Sequence, residues 1–203
     1  MLEKEKYYKF RFKKIEYFFF LKIIFIFFIT TAYAFAEIKQ KLIKKLENTQ
    51  TLTFNFNQKI SDKIQTGNCI IKYPRLIRCD YEDSYNKRLI SNGKTLAIIQ
   101  RRYKKIFYYP LKTTPLYHIL DKEYLIEFIK NNEPKSTDNF LIKFEILEND
   151  KKFSIFFEEK SFDLRGWKTE DVYKNDVEFL IKNLKINIPT NQKLFKIPSR
   201  DDL

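Results

Sequence analysis

The sequence is short of the residues that most enzyme chemistry depends on. It holds one histidine, two cysteines and three glycines in 203 residues. A single histidine, His118, excludes both a histidine-centred triad and a multi-histidine metal site, and two cysteines do not complete a zinc site. His118 falls in a short helical stretch, where a packing or lid role is expected. Acidic pairs such as Glu158-Glu159 and Asp201-Asp202 read as a solvated strand end and tail. No catalytic residue, no metal and no cofactor is therefore expected. The chain also lacks internal repeats, Gly/Ser linkers and low-complexity tracts, so one domain is the economical reading.

Basic residues are plentiful, with 39 Lys+Arg against 26 Asp+Glu and a net charge of +13. They are scattered over every segment, whereas a nucleic-acid surface gathers Lys/Arg beside stacking aromatics on one face. Nucleic acid is not an expected partner. The bias toward Lys, Ile, Asn and Phe fits an AT-rich genome. Part of the charge belongs to the N-terminus, where Lys4, Lys6, Lys9, Arg11, Lys13 and Lys14 precede an aromatic stretch, Lys22 and the run IIFIFFITTAYAFA. A basic region, an apolar region and a small-x-small ending at Ala34-Phe35-Ala36 predict a secretory signal peptide over residues 1–36, cleaved before Glu37. The apolar run is shorter than the about 20 residues that span a bilayer. No cysteine follows it, so no lipobox is present. Residues 37–203 are expected to be a soluble, exported domain with a net charge of +9. In such a compartment a thiol pair can oxidise and stay oxidised.

The exported part reads as α+β. In EIKQKLIKKLENT, residues Ile38, Leu42, Ile43 and Leu46 form one helical stripe. The period then becomes two, with Leu52, Phe54 and Phe56 alternating with polar residues along a strand that has one wet face. Further strands are predicted over Gly67–Tyr73, Leu76–Tyr81, Arg88–Ser91, Lys94–Gln100 and Ile106–Tyr109. Asn92-Gly93 is a strong hairpin signal. Thr114-Pro115 predicts the cap and first residue of a short helix over Leu116–Leu120. Asp121 caps a second helix with a stripe of Leu120, Tyr124, Leu125, Phe128 and Ile129. Four more strands follow, over Phe140–Leu147, Phe153–Glu158, Leu164–Glu170 and Val177–Ile188. The apolar parity of the last one switches at Asn183, which predicts a bulge or bend. The sum is one large antiparallel sheet with helices gathered on one face.

The stretches FNFNQKI, GNCIIKYPRLIRCDY, LISNGKTL, TTPLYHIL, FDLRGWKTED and KLFKIP occur in this order behind the signal peptide. The set resembles the family of LolA, the periplasmic outer-membrane lipoprotein carrier, over essentially all of residues 37–203. The resemblance implies an incomplete, half-open antiparallel β-barrel whose helices cover an apolar cavity. It implies a periplasmic chaperone, not an enzyme, expected as a monomer. Such a carrier takes the acyl chains of lipoproteins from an inner-membrane lipoprotein-releasing ABC transporter and passes them to an outer-membrane acceptor. The alternative is a LolA-like periplasmic lipid-binding sensor or regulatory domain. Residues implied in acyl-chain binding are Leu52, Phe54, Phe56, Ile71, Tyr73 and Ile77 from the first strands. Tyr81, Leu96 and Ile98 follow, with Leu116, Ile119 and Leu120 from the lid.

Family members carry an arginine before the proline that is Pro74 here, and it holds the lid shut. This chain has Tyr73 there, which offers one hydrogen bond in place of a planar fork. Closure is then expected to weaken or to rest on apolar lid contacts. Counting by twos from Tyr73 places Cys69, Ile71, Ile77, Cys79 and Tyr81 on the inward face. The two cysteines are equidistant from Pro74, which leaves a cross-strand disulfide or two small buried thiols as the alternatives.

Overall fold

A computed structural model describes residues 36–136, 140–148, 151–171 and 174–203. The predicted signal peptide therefore lies, except for Ala36, outside the described residues. The chain divides into two units, Met1–Gln40 and Lys41–Leu203. Residues 36–40 of the first are helical. No helix among the described residues is long and apolar enough to cross a membrane.

The second unit begins with α1 (41–47), which buries Leu42 and Leu46. Its exit is fixed by Asn187, which accepts from Gln50 N at 2.7 Å and donates to Asn48 O at 2.9 Å. Six strands follow: β1 (Thr51–Ile60), β2 (Lys63–Lys72), β3 (Leu76–Tyr81), β4 (Lys87–Asn92), β5 (Thr95–Gln100) and β6 (Lys105–Pro110). Then come two helices, α2 (Tyr117–Leu120) and α3 (Lys122–Asn131). The second strand group is β7 (Lys135–Ser136), β8 (Leu141–Glu148), β9 (Lys151–Glu158), β10 (Leu164–Glu170) and β11 (Asp176–Ile186).

The strands form one antiparallel sheet in the order β6-β5-β4-β3-β2-β1-β11-β10-β9-β8-β7. Each group is a meander, and pairing of the first strand with the last joins them. Because β6 and β7 stay unpaired with each other, the barrel is half open. The expected fold class stands.

Several local expectations are met and several shift. Gly93 takes φ 96° in the β4–β5 turn, where Asn92 Oδ1 accepts from Lys94 N and Thr95 N. The β1–β11 register slips between Thr53 and Asn55, opposite Asn183, whose φ is 52°. That is the bulge the parity switch predicts. β2 starts at Lys63 rather than Gly67, and Gly67 lies inside the strand for a steric reason. A Cβ there would sit 2.2 Å from Asp80 O and 2.8 Å from the Phe56 ring. Asp121 caps α3 as expected, accepting from Tyr124 N at 3.1 Å. Thr114 does not cap α2, however. Its hydroxyl donates back to Leu111 O at 2.8 Å, and α2 begins after Leu116 with no side-chain cap.

Simple alternation, with polar residues outside, fails on one half of the sheet. The face of β4–β6 opposite the concave one carries Ile90, Ala97, Ile99 and Ile106, all buried. Ile197 and Leu203 of the C-terminal tail pack on this cluster, and Phe195, only 2 % exposed, is buried in the preceding turn. Strand residues can be apolar on both faces when a tail supplies a second layer. On the other half the outer face is polar, and Glu145 gathers Lys135, Lys143 and Lys152 within 2.6–2.8 Å.

Candidate functional site

The concave face holds the aromatic residues. Tyr81 meets Phe56 edge-on at 4.9 Å, Phe56 stacks on Phe179 at 4.6 Å, and Phe179 stacks on Trp167 at 4.0 Å. This row draws on four strands, β3, β1, β11 and β10, and crosses β2 at Gly67, where the Phe56 ring occupies the space a side chain would fill. Above the row is a cavity of about 130 Å³. Ile77, Cys79, Tyr81 and Leu89 border it on one side, Trp167, Thr169, Val177 and Phe179 on the other. Gln58 contributes to the wall, and Pro115 and Leu116, leading into α2, close it.

The end of the wall formed by Gln58 and Tyr81 is polar. Tyr81 donates to Gln58 Oε1 at 2.9 Å, and Lys87 Nζ lies 3.7 Å from the centre of the Tyr81 ring. Burial raises the Tyr81 pKa, and Asp83 adds to the rise. Burial also lowers that of Lys87, against the opposing pull of Asp83. Lys87 is held by Gln65 Oε1 at 2.7 Å, so its charge has a partner despite burial. Among the described residues no group of three His, Cys, Asp or Glu could hold a metal ion.

Of the residues predicted to bind acyl chains, Ile77, Tyr81 and Leu116 border the cavity. Leu52, Phe54, Phe56, Ile71, Leu96, Ile119 and Leu120 are buried but do not border it, and Ile98 is half-buried. Sequence reasoning did not assign Leu89, Trp167, Thr169, Val177, Phe179, Gln58 or Pro115. The signal was present for some: Leu89 is the register partner of both Cys79 and Ile98, and Thr169 that of Val177. Cys69 and Cys79 face each other in the β2–β3 ladder and are joined by a disulfide. It lies on the concave face, and Cys79 borders the cavity.

The lid attaches differently from the expectation built on Tyr73. Tyr73 is buried, its hydroxyl has no hydrogen-bond partner, and burial raises its pKa. Arg75, on the far side of Pro74, does the holding. Its N–H donates to Leu120 O at 2.8 Å, and its Nε lies 2.7 Å from Asp121 Oδ2. Arg75 takes φ 65°, so the alternation of the flanking strands does not carry through the turn. Ser91, fully buried in β4, donates to Arg75 O at 2.8 Å and pins the turn to the sheet.

Asp121 thus caps α3 and receives Arg75 at once. Burial works to raise its pKa, but the bonds from Tyr124 N, the Tyr117 hydroxyl and Arg75 prevail and hold it below the usual carboxylate range. A second fastening comes from Lys122, whose Nζ donates to Glu47 O and Thr49 O at 3.2 and 3.1 Å, at the end of α1. The other side of the lid is aromatic. Phe128 meets Phe144 of β8 at 6.3 Å, and His118 lies 5.5 Å from Phe153 of β9. His118 therefore packs in the lid.

This fold has counterparts among solved structures. An uncharacterized conserved protein from Thermus thermophilus has a TM-score of 0.50 at 7% identity, over 80% of this chain and 94% of that one. The LolA superfamily protein NE2245 from Nitrosomonas europaea gives 0.45 at 10% identity, over 83% and 99%. The MucA/MucB complex structure from Pseudomonas aeruginosa gives 0.44 at 8% identity, over 82% of this chain and 62% of that one. No curated protein matches the sequence. The family model of the outer membrane lipoprotein carrier protein LolA matches residues 47–198, from the end of α1 into the C-terminal tail. With three quarters of its length so matched, the chain belongs to the LolA family.

Proposed function

We propose that this protein is a periplasmic carrier of lipoproteins. It receives their acyl chains from an inner-membrane ABC transporter and delivers them to an outer-membrane acceptor. The observation that carries this reading is an apolar cavity closed by a lid with few polar fastenings on the Arg75 side. A chain of about a dozen methylenes costs on the order of 10 kcal/mol to expose to water. An ion pair with Arg75 40 % exposed contributes about 1 kcal/mol. Acyl chains entering the cavity can therefore drive the lid open.

The closed cavity is too small for that cargo. At about 10–15 Å³ of cavity per water-sized group, about 130 Å³ holds on the order of ten methylenes, far fewer than the three acyl chains of a triacylated lipoprotein carry. Loading requires α2 to withdraw Pro115 and Leu116. In the proposed motion the lid stays with β8 and β9 through Phe128 and His118 and parts from the Tyr73–Arg75 turn. Leu52, Phe54, Ile71, Leu96, Ile119 and Leu120 then become available to the chains. The protein acts by partition, without a chemical step.

The test is release of a triacylated lipoprotein from inner-membrane vesicles containing its transporter. Stoichiometric, ATP-dependent appearance of a soluble complex is expected. Binding of free acyl probes with no release from vesicles would refute the carrier and favour a lipid-binding sensor.

A further inference from the structure

The sheet ends in two unlike edges. β7 is two residues long, and its Lys135 is tied to Glu145 at 2.6 Å. A short, charged edge resists pairing with another strand. β6 is a full six residues, KIFYYP, and Phe107, Tyr108 and Tyr109 are 42–51 % exposed.

The phase of this edge follows from its ladder. Leu111 N donates to Lys94 O at 2.9 Å, one step beyond the Pro110–Thr95 pair. Bonded and non-bonded pairs alternate in an antiparallel ladder. Lys105, Phe107 and Tyr109 therefore direct their backbone groups to β5, while Ile106, Tyr108 and Pro110 direct theirs outward. Pro110, which has no N–H, sits in the outward phase, where a strand tolerates it. Pro110 O is occupied by the Thr113 hydroxyl at 2.9 Å. Among the described residues the N–H and C=O groups of Ile106 and Tyr108 remain as an open ladder, flanked by Phe107 and Tyr109 on one face and Tyr108 on the other.

Charge selects the occupant. Arg101, Arg102, Lys104 and Lys105 are all exposed at the start of β6, and Lys112 is exposed just past its end. A second copy pairing antiparallel would bring Lys104 and Lys105 of one chain toward Lys112 of the other. A membrane surface would leave the backbone ladder without partners. We propose that β6 is a docking site for an extended, acidic segment of a partner protein, which adds to the sheet as a further strand. Backbone bonds give such a contact its affinity, and the basic ends set its preference.

The test uses the full protein and two labelled ten-residue probes, alternating Glu-Val and alternating Lys-Val. Tyr108→Pro removes one outward N–H without touching the β5 ladder. The Glu-Val peptide is expected to bind, to slow amide exchange at Ile106 and Tyr108, and to weaken at least tenfold in Tyr108→Pro. Should that variant not fold, Lys104→Glu/Lys105→Glu takes its place, with the Lys-Val peptide then preferred. Equal binding of both peptides, or undiminished binding to a folded Tyr108→Pro, overturns the proposal. So does a concentration-dependent dimer abolished by Tyr108→Pro, or binding to anionic phosphatidylglycerol vesicles that survives it.

Discussion

The two halves of the sheet solve the same problem in different ways. β4 and β5 bury residues on both faces, Ser91 and Leu96 on the concave side and Ile90, Ala97 and Ile99 under the C-terminal tail on the other. β6 adds the buried Ile106 to the tail side. β8–β11 have one covered face, and their outer face carries lysine–acid pairs beside the exposed Leu147 and Leu180. The first half is a two-layer body bearing the disulfide and the Arg75 turn. The second is a single curved layer supplying most of the aromatic surface. A carrier needs one wall that keeps its shape and an apolar lining that can accept a changing cargo. The covered half suits the former task and the aromatic half the latter.

The tail should therefore carry much of the first half's stability. Phe195→Ala is expected to lower the unfolding free energy by about 3–5 kcal/mol, as for a fully buried aromatic. Leu180 lies on the outer face of β11 and is 41 % exposed. Leu180→Ala should change stability by no more than about 0.5 kcal/mol. Urea titrations of both variants test the contrast, and equal losses would dissolve it.

The disulfide comes next in size. The bridge from Cys69 to Cys79 has a sequence separation of 10. On the chain-entropy model, closing so short a loop is worth about 2–3 kcal/mol. Cys69→Ala/Cys79→Ala should lose about that much, in urea and equally under non-reducing and reducing conditions. The native protein should lose it only on reduction.

The first half also shows what was legible in the sequence. The Asn92-Gly93 hairpin, the α1 stripe and the Asn183 bulge were readable because each is a local rule acting on adjacent residues. The inward parity of Cys69, Ile71, Ile77 and Tyr81 was readable for the same reason. The second layer was not. Ile90, Ala97 and Ile99 look like ordinary strand residues until a tail about a hundred positions away covers them. Arg75 went unassigned because the left-handed backbone beside Pro74 interrupts the alternation of the flanking strands. The cavity wall from Trp167 to Phe179 was missed because β10 and β11 meet β1 only through the pairing of the first strand with the last.

The latch between the halves should respond to charge. Asp121→Asn keeps a good helix cap but removes the ion pair with Arg75. A loss of about 1 kcal/mol corresponds to about a fivefold larger open population. Faster uptake of a fluorescent fatty-acid probe by Asp121→Asn is expected, with little change in overall stability. The pH dependence follows from the depressed pKa of Asp121. The latch is fully present above the ordinary carboxylate value of about 4 and is lost only as pH falls through the lower folded value. Wild-type uptake should therefore speed up below pH 4, while Asp121→Asn should show no such step.

The smallest effect belongs to the outer face of the second half. Glu145 is held well below the usual carboxylate range by bonds from Lys135, Lys143 and Lys152. Its side chain is 18 % exposed, whereas Lys135 and Lys152 are 66 % and 58 % exposed, so water and salt screen much of the attraction. Glu145→Gln leaves three lysines facing one another around a neutral amide. A loss of about 1 kcal/mol is expected at low ionic strength, shrinking toward zero in molar salt. The folded pKa is depressed, so the wild-type contribution is present at neutral pH and fades only in strong acid. Phe195→Ala buries no charge, and its loss should persist in molar salt. Urea titrations of the two variants at low and high salt would distinguish a half held by ion pairs from one held by a buried layer. A Glu145→Gln deficit that survives molar salt would show that this carboxylate acts through packing.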